Sequence, residues 1–273
     1  MVAKQVLDTL LFVDTNVLLD FYRIRKTDIS LKYLAQLEAC QDRLIIGSQV
    51  EMEYKKNRQR VIVESLMNFG IPDWGKLTGP ALVADLQAMK MIEKKKKEIA
   101  SQKAKVNEKI RNILSDPIHH DPVYQCLQRI FKNESPFNLS RAKTERFRIR
   151  NLARKRFALG YPPRKQGDTS IGDALNWEWI VQCSINSGKH VVIVTRDTDY
   201  GAIYDGNSYL NDWLKQEFSE RVSKKRKIIL TDKLSHGLRI VHAAVTKEME
   251  EEEERLLAYI LGEAEEASVD EET

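Results

Sequence analysis

Four acidic residues, Asp14, Glu53, Asp173 and Asp197, stand where an apolar run gives way to a polar turn or to the start of a helix. Their segments are LLFVDTNVLLDFY (10–22), IIGSQVEMEYKKNR (45–58), SIGDALNWEW (170–179) and VVIVTRDTDYG (191–201), the last with a second acid, Asp199. Carboxylates gathered at converging strand ends suit hard divalent cations, Mg²⁺ or Mn²⁺, which take oxygen ligands and retain water. Such a site hydrolyses phosphodiesters: one ion activates the attacking water and a second, roughly 3.5–4 Å away, stabilises the leaving oxygen. His119, His120, His190, His236 and His242 show no HExxH or other ligand spacing, which disfavours zinc. The chain has no GxxxxGK[ST], GxGxxG or GxSxG motif, which argues against a P-loop NTPase, a dinucleotide-binding fold and a serine hydrolase.

Each acid also has a structural reading. Asp14 precedes Thr15 and Asn16, so it sits at a carboxyl strand edge or caps a helix. Ser48 and Glu51 have capping-box spacing, which gives Glu51 a structural task and leaves Glu53 as the candidate, with Asn57 four residues on. The alternative for Glu53 is a solvent-facing acid paired with Lys56 or Asn57. Asp173 falls in the first turn of a helix whose Ala174, Leu175, Trp177, Ile180 and Val181 mark burial, where an unpaired carboxylate is costly and a cation would offset it. Glu178 is a weaker candidate on that helix, and Lys165 and Asp168 could reach the site from the preceding loop. Asp197 and Asp199 follow the β-branched run VVIV, although an Asx turn could employ one of them.

The elements needed to position these acids are legible as apolar runs. Residues 10–13 and 43–47 read as buried strands, with a helical pattern between them and another after, the βαβ order of a parallel sheet. Later come a helix from Ile171 to Ser187 ended by Gly188, a strand His190–Thr195, a helix near Asn211–Phe218 and a strand Lys227–Leu230. The fold class expected is therefore α/β, a central parallel sheet flanked by helices. The middle, about residues 71–166, follows the turn region IPDWGKLTGP with no strand-like run and reads as a helical insertion. Met91, Ile92, Ile99, Val106, Ile110, Ile113 and Leu114 allow one amphipathic helix there.

The net charge of +4 conceals a split: residues 248–273 hold twelve acids and one base, which leaves residues 1–247 with a surplus of fifteen bases. A body so basic favours a polyanionic partner, most simply nucleic acid. In 141–165, ten bases face one acid, Glu145, with Phe147, Phe157 and Tyr161 interleaved. Arg146, Arg148, Arg150, Arg154, Lys155, Arg156 and Arg164 are the candidates for phosphate contacts; the alternative is a helix that docks its aromatics and solvates its arginines. The acidic tail, 247–273, is expected to be an exposed solubilising extension, mobile after about Gly262, with an intramolecular nucleic-acid mimic as the alternative. Cys40, Cys126 and Cys183 are odd in number and form no CxxC pair, which suits a reducing cytoplasm, and no run approaches the length of a membrane helix.

Taken together, LLFVDTNVLLDFY, an acid on the helix after the second strand, GDALNW and TRDTDYG resemble the four motifs of PIN-domain ribonucleases. YPPRKQGDTSIGDALNWEWIV and YLNDWLKQEFSERVSKKRKIILTDKLSHGLRI extend the resemblance to PIN-like proteins of the DUF4935 type, over about residues 8–68 and 157–246. The resemblance implies a PIN-like nuclease domain over 1–246, with the insertion inside it, and Mg²⁺- or Mn²⁺-dependent cleavage of RNA leaving 5′-phosphate and 3′-hydroxyl ends. It implies Asp14, Glu53, Asp173 and Asp197 as metal ligands, Asp199 close by, and Thr15 or Asn16 orienting Asp14. A DNA nuclease and a catalytically silent nucleic-acid-binding module remain alternatives, and a regulatory partner protein and a homo-oligomer are left open.

Overall fold

The computed structural model describes residues 8–67, 81–83, 86–164 and 170–271; the turn region expected at 71–80 lies outside them. In chain order, β1 (Thr9–Val13) leads into a short α1 (Thr15–Leu19), α2 (Thr27–Ala39), β2 (Leu44–Gly47) and α3 (Ser48–Met67). The middle of the chain supplies α4 (Gln87–Ser115), α5 (Pro117–His120), α6 (Pro122–Lys132), β3 (Asn138–Leu139) and α7 (Glu145–Ala158). There follow α8 (Gly172–Ser187), β4 (His190–Val194), the hairpin β5 (Gly201–Tyr204) and β6 (Asn207–Leu210), α9 (Asp212–Arg221), β7 (Ile228–Thr231), α10 (Leu234–Ile240) and α11 (Lys247–Glu271).

Five strands form one parallel sheet in the order β3-β2-β1-β4-β7. Every residue of β1, β2 and β4 is buried, as a parallel sheet covered on both faces requires. The chain leaves β1 toward β2 on one side and returns to β4 on the other, so the crevice between the carboxyl ends of β1 and β4 is a topological switch point. Ligands of open α/β sheets bind in such a crevice. Val13 is in register with Val194, and the Asp14 amide donates to the Val194 carbonyl at 2.9 Å, which brings Asp14 level with the residues after β4.

The middle segment differs from the expectation of a strandless insertion. Asn138 and Leu139 pair with Ile46 and Gly47, and the helices on either side pack onto the body: α6 against α2, and α7 against α8. A two-residue strand is too short to leave a period in the sequence. By contrast α4 is the long amphipathic helix expected, and none of its 29 residues is buried. The antiparallel hairpin β5–β6 had no counterpart in the sequence reading, because its faces carry mixed Gly, Ala, Tyr and Asn. Gly188 ends α8 in the left-handed region, φ 64°, as its position past the last apolar residue predicts.

The acidic tail also departs from expectation. The helix α11 runs to Glu271, and its first half is docked, with Met249, Glu252, Glu253 and Leu256 buried. The Glu253 carboxylate accepts from the Leu234 and Ser235 amides at 2.5 and 2.9 Å, capping α10, and from the Tyr33 hydroxyl at 3.2 Å. An anion at a helix N-terminus satisfies amides that have no intrahelical acceptor. Further pairs join Glu248 to Lys32 and Glu250 to Arg239. These acids are structural cement for α2 and α10. Composition alone could not distinguish them from a solvated run.

Candidate active site

Asp14 closes β1 and caps α1. Its carboxylate accepts from the Thr15 amide at 2.6 Å, from Thr195 Oγ1 at 2.7 Å and from Asn16 Nδ2 at 3.2 Å. Capping and placement at the strand end therefore coexist: Oδ1 satisfies the Thr15 amide, while Oδ2 accepts from Thr195 and Asn16 and ties the ends of β1 and β4 together. Glu53 reaches the same place from α3. It accepts from Thr15 Oγ1 at 3.0 Å and from Gln49 Nε2 at 2.6 Å, while Asn57 turns to the Glu53 backbone carbonyl at 3.0 Å. The position of α3 is set by a buried ion pair, Arg58 to Asp121 at 2.6 Å, which ties it to α6. Glu51 pairs with Lys55 at 2.6 Å and takes no part.

Asp173 lies in the first turn of α8, and Asp197 and Asp199 follow β4. Burial pushes the Asp173 carboxyl up to about 8, reinforced by the charges of Asp14, Glu53, Asp197 and Asp199. Asp14 is raised to about 6, chiefly by burial against the lowering of its hydrogen bonds from Thr195 and Thr15, with Glu53 and Asp197 adding to the rise. These mutual effects locate the five acids in one electrostatic cluster. Among the described residues the donors that reach Asp14 and Glu53 are neutral: Thr15, Asn16, Gln49 and Thr195. Arg196, inside the TRDTD motif, is directed away, to Asp20 at 2.6 Å and to the Asp232 carbonyl.

Three residues that the sequence reading passed over belong here. Thr195 Oγ1 donates to Asp14, accepts from the Asp197 amide at 3.0 Å and lies 3.2 Å from Asn16 Nδ2, joining the two strand ends. A hydroxyl closing an apolar strand just before two acids was the available signal. Gln49 is the second. The third is Tyr200, fully buried, whose ionisation is opposed by burial and then by Asp173, Asp14, Glu53 and Asp197; its hydroxyl has no hydrogen-bond partner. A buried hydroxyl without a partner is a donor available to a further oxygen.

Two candidates are corrected. Glu178 does not face the site: it is buried between Arg156 at 2.8 Å and Arg221 at 2.7 Å. Arg156 is accordingly unavailable to phosphate, being 4% exposed and bound to Glu178, Glu217 and the Pro162 carbonyl. On a helix, residues five apart point in different directions, so Glu178 cannot share the outlook of Asp173. Arg148, Arg150, Arg154, Lys155 and Arg164 are exposed, Arg146 is partly so, and Lys165 and Asp168 lie outside the described residues. Arg164 and Arg146 stack over Phe157 and Phe147 at 4.4 and 4.7 Å.

A profile described as PIN domain matches residues 11–200. The chain belongs to the PIN domain family. No curated protein and no solved structure matches it. The family consists mostly of metal-dependent nucleases, and the five-stranded parallel sheet is consistent with the PIN fold. No helix among the described residues is long and apolar enough to cross a membrane.

Does the PIN site of this chain suit a divalent ion? Its donors are hard oxygens, carboxylates of which Asp14 is buried and the others are part-buried, which oppose one another's ionisation and have neutral neighbours. This set fits Mg²⁺ or Mn²⁺. Among the described residues, however, no three acidic, histidine or cysteine side chains are placed so that together they could hold a metal ion.

Gly172 gives a test of this geometry. A Cβ there would lie 2.3 Å from Glu53 Oε1 and 2.9 Å from Gln49 Nε2. Gly172→Ala should push the Glu53 carboxylate aside and weaken Mn²⁺ affinity by about tenfold or more, while the flexible tip keeps the stability change within about 1 kcal/mol. Isothermal titration with Mn²⁺ and a urea melt would measure both; an unchanged Mn²⁺ affinity would remove Glu53 from the site.

Proposed function

We propose that the protein is a Mg²⁺- or Mn²⁺-dependent endoribonuclease that hydrolyses RNA phosphodiesters with a water nucleophile. The observation that carries this reading is the set of mutually repelling carboxylates, Asp14 buried and the others part-buried, around the β1/β4 switch point of a PIN domain. Asp14, Glu53, Asp173 and Asp197 would hold the metal, with Asp199 beside them. When bound, the ion acidifies water and neutralises charge on the phosphodiester. Thr15, Asn16 and Thr195 hold the Asp14 and Glu53 carboxylates in place. The Tyr200 hydroxyl, far too weak an acid there to ionise and without a hydrogen-bond partner, would donate to an oxygen admitted beside it.

The basic face of α7 would hold the strand through its exposed Arg148, Arg150, Arg154 and Lys155, leaving Arg156 to the fold. Asp14→Asn should reduce metal-dependent cleavage of labelled RNA by about a thousandfold or more. Parallel assays on labelled single-stranded DNA assign the polymer. Cleavage by Asp14→Asn at the wild-type rate would overturn the assignment. Arg150→Ala with Arg154→Ala should weaken RNA binding at low salt and reduce the slope of log K against log salt by about 1 to 2, with little effect on folding. An unchanged slope would place the strand elsewhere.

A further inference from the structure

The hairpin β5–β6 begins one residue after Tyr200, directly beyond the acidic cluster, and lies outside the residues that match the PIN profile. Its register pairs Ala202 with Tyr209 and Tyr204 with Asn207. Directly paired residues share a face, and so do residues two apart along a strand. Tyr204 and Tyr209 therefore project from one face as diagonal neighbours, a separation of about 7–8 Å. Tyr204 is 76% exposed and Tyr209 55%. Neither ring takes part in an aromatic pair, among the described residues, and a two-stranded ribbon gains nothing by displaying two large rings to water. Three residues past β6, the half-exposed Trp213 makes a tilted ring contact at 5.2 Å with Tyr161, which follows the basic helix α7 in the chain.

We propose that Tyr204 and Tyr209 form a stacking platform for unpaired nucleotides next to the scissile phosphate, which makes the substrate single-stranded where it meets the site. Aromatic rings spaced along a groove of positive charge hold successive bases by their π faces, whichever bases they are. Base pairs inside a duplex present no free face. A protein partner could also cover two tyrosines, but the surplus of fifteen bases in residues 1–247 favours a polyanion, and of polyanions a nucleic acid has bases that stack on rings. The proposal rests on the nuclease reading for its polymer, yet its readout is binding, independent of cleavage.

The test uses the full-length protein in EDTA, so that no cleavage intervenes, with fluorescein-labelled oligouridylate, oligothymidylate and a mixed-sequence duplex, each about 12 nucleotides long. Tyr204→Ala with Tyr209→Ala should weaken both unpaired oligomers by about tenfold or more and leave duplex affinity unchanged. Tyr204→Phe with Tyr209→Phe should bind as the wild type does, because stacking needs the ring and not the hydroxyl. A preference between the uridylate and thymidylate arms would distinguish RNA from DNA as the stacked strand. The platform is overturned if the alanine variant keeps wild-type affinity for both oligomers, if it loses duplex affinity equally, or if the phenylalanine variant fails alongside it. It is overturned too if sedimentation shows a wild-type dimer that the alanine pair dissociates while oligomer binding is untouched. Failure of the nuclease reading would instead appear as undiminished cleavage by Asp14→Asn and would leave these affinities as they are.

Discussion

Asp173→Asn will abolish metal-dependent cleavage and, in the absence of metal, stabilise the protein as pH rises. The Asp173 carboxyl is pushed up to about 8, first by burial and then by Asp14, Glu53, Asp197 and Asp199. In the unfolded chain the same group ionises near about 4. The folded state thus holds a proton that the unfolded state releases, and the stability this group confers is complete below about pH 4 and lost as pH rises through about 8. Asp14, raised to about 6, acts in the same direction over a narrower range. An asparagine matches the shape of the protonated acid and cannot ionise. The variant should therefore equal wild type in stability near pH 4 and exceed it by on the order of 1 kcal/mol or more near pH 8. Saturating Mn²⁺ should reverse the order at pH 8, since a ligand that binds only the folded wild type raises its stability. Thermal melts across pH, with and without Mn²⁺, read all three effects. A difference independent of pH, or equal stabilisation of both proteins by Mn²⁺, would sink the account. Cleavage should fall by about a thousandfold or more.

Glu178→Ala should destabilise the protein by about 3–5 kcal/mol, because it strands the guanidinium of Arg156 in the interior with half its countercharge removed. Burial works against ionisation of Glu178, but the hydrogen bonds and charges of Arg221 and Arg156 outweigh it and hold the carboxyl below its usual range. The sign is opposite to that of Asp173. Stability from Glu178 is present above about pH 4 and is lost as pH falls through the lowered value. Urea denaturation near neutrality should show the full loss, and the gap between variant and wild type should narrow on acidification. Metal affinity should stay as it was. A variant that folds normally but loses Mn²⁺ would return Glu178 to the site.

The contrast between these two acids marks where sequence reading stopped. Both lie on one helix, five residues apart, and both were candidates for the same crevice. Segment chemistry separated Glu53 from Glu51, since capping-box spacing gave Glu51 a local task; in the structure Glu51 is likewise outside, although its partner is Lys55. No local pattern could say that Glu178 would meet Arg156 and Arg221, from α7 and α9, because those partners lie 22 and 43 residues away. The same holds for Arg156, which shares its composition with the exposed arginines around it. It also holds for Glu252 and Glu253, indistinguishable in a run of acids until α10 and Tyr33 claim one of them.

What the sequence determined by itself was the α/β class, the positions of β1, β2, β4 and β7 to within a residue or two, and the acids at their ends. Apolar runs can become only buried strands or buried helix segments, and an acid just beyond such a run must lie at an element's edge. The tertiary structure decided which of those edges coincide. Register places Val13 beside Val194, and Thr195 bridges the two strand ends. It decided too that Tyr204 and Tyr209 share a face. Such convergence depends on pairing between residues far apart in the chain, and the free energy of that pairing is written in no local stretch of it.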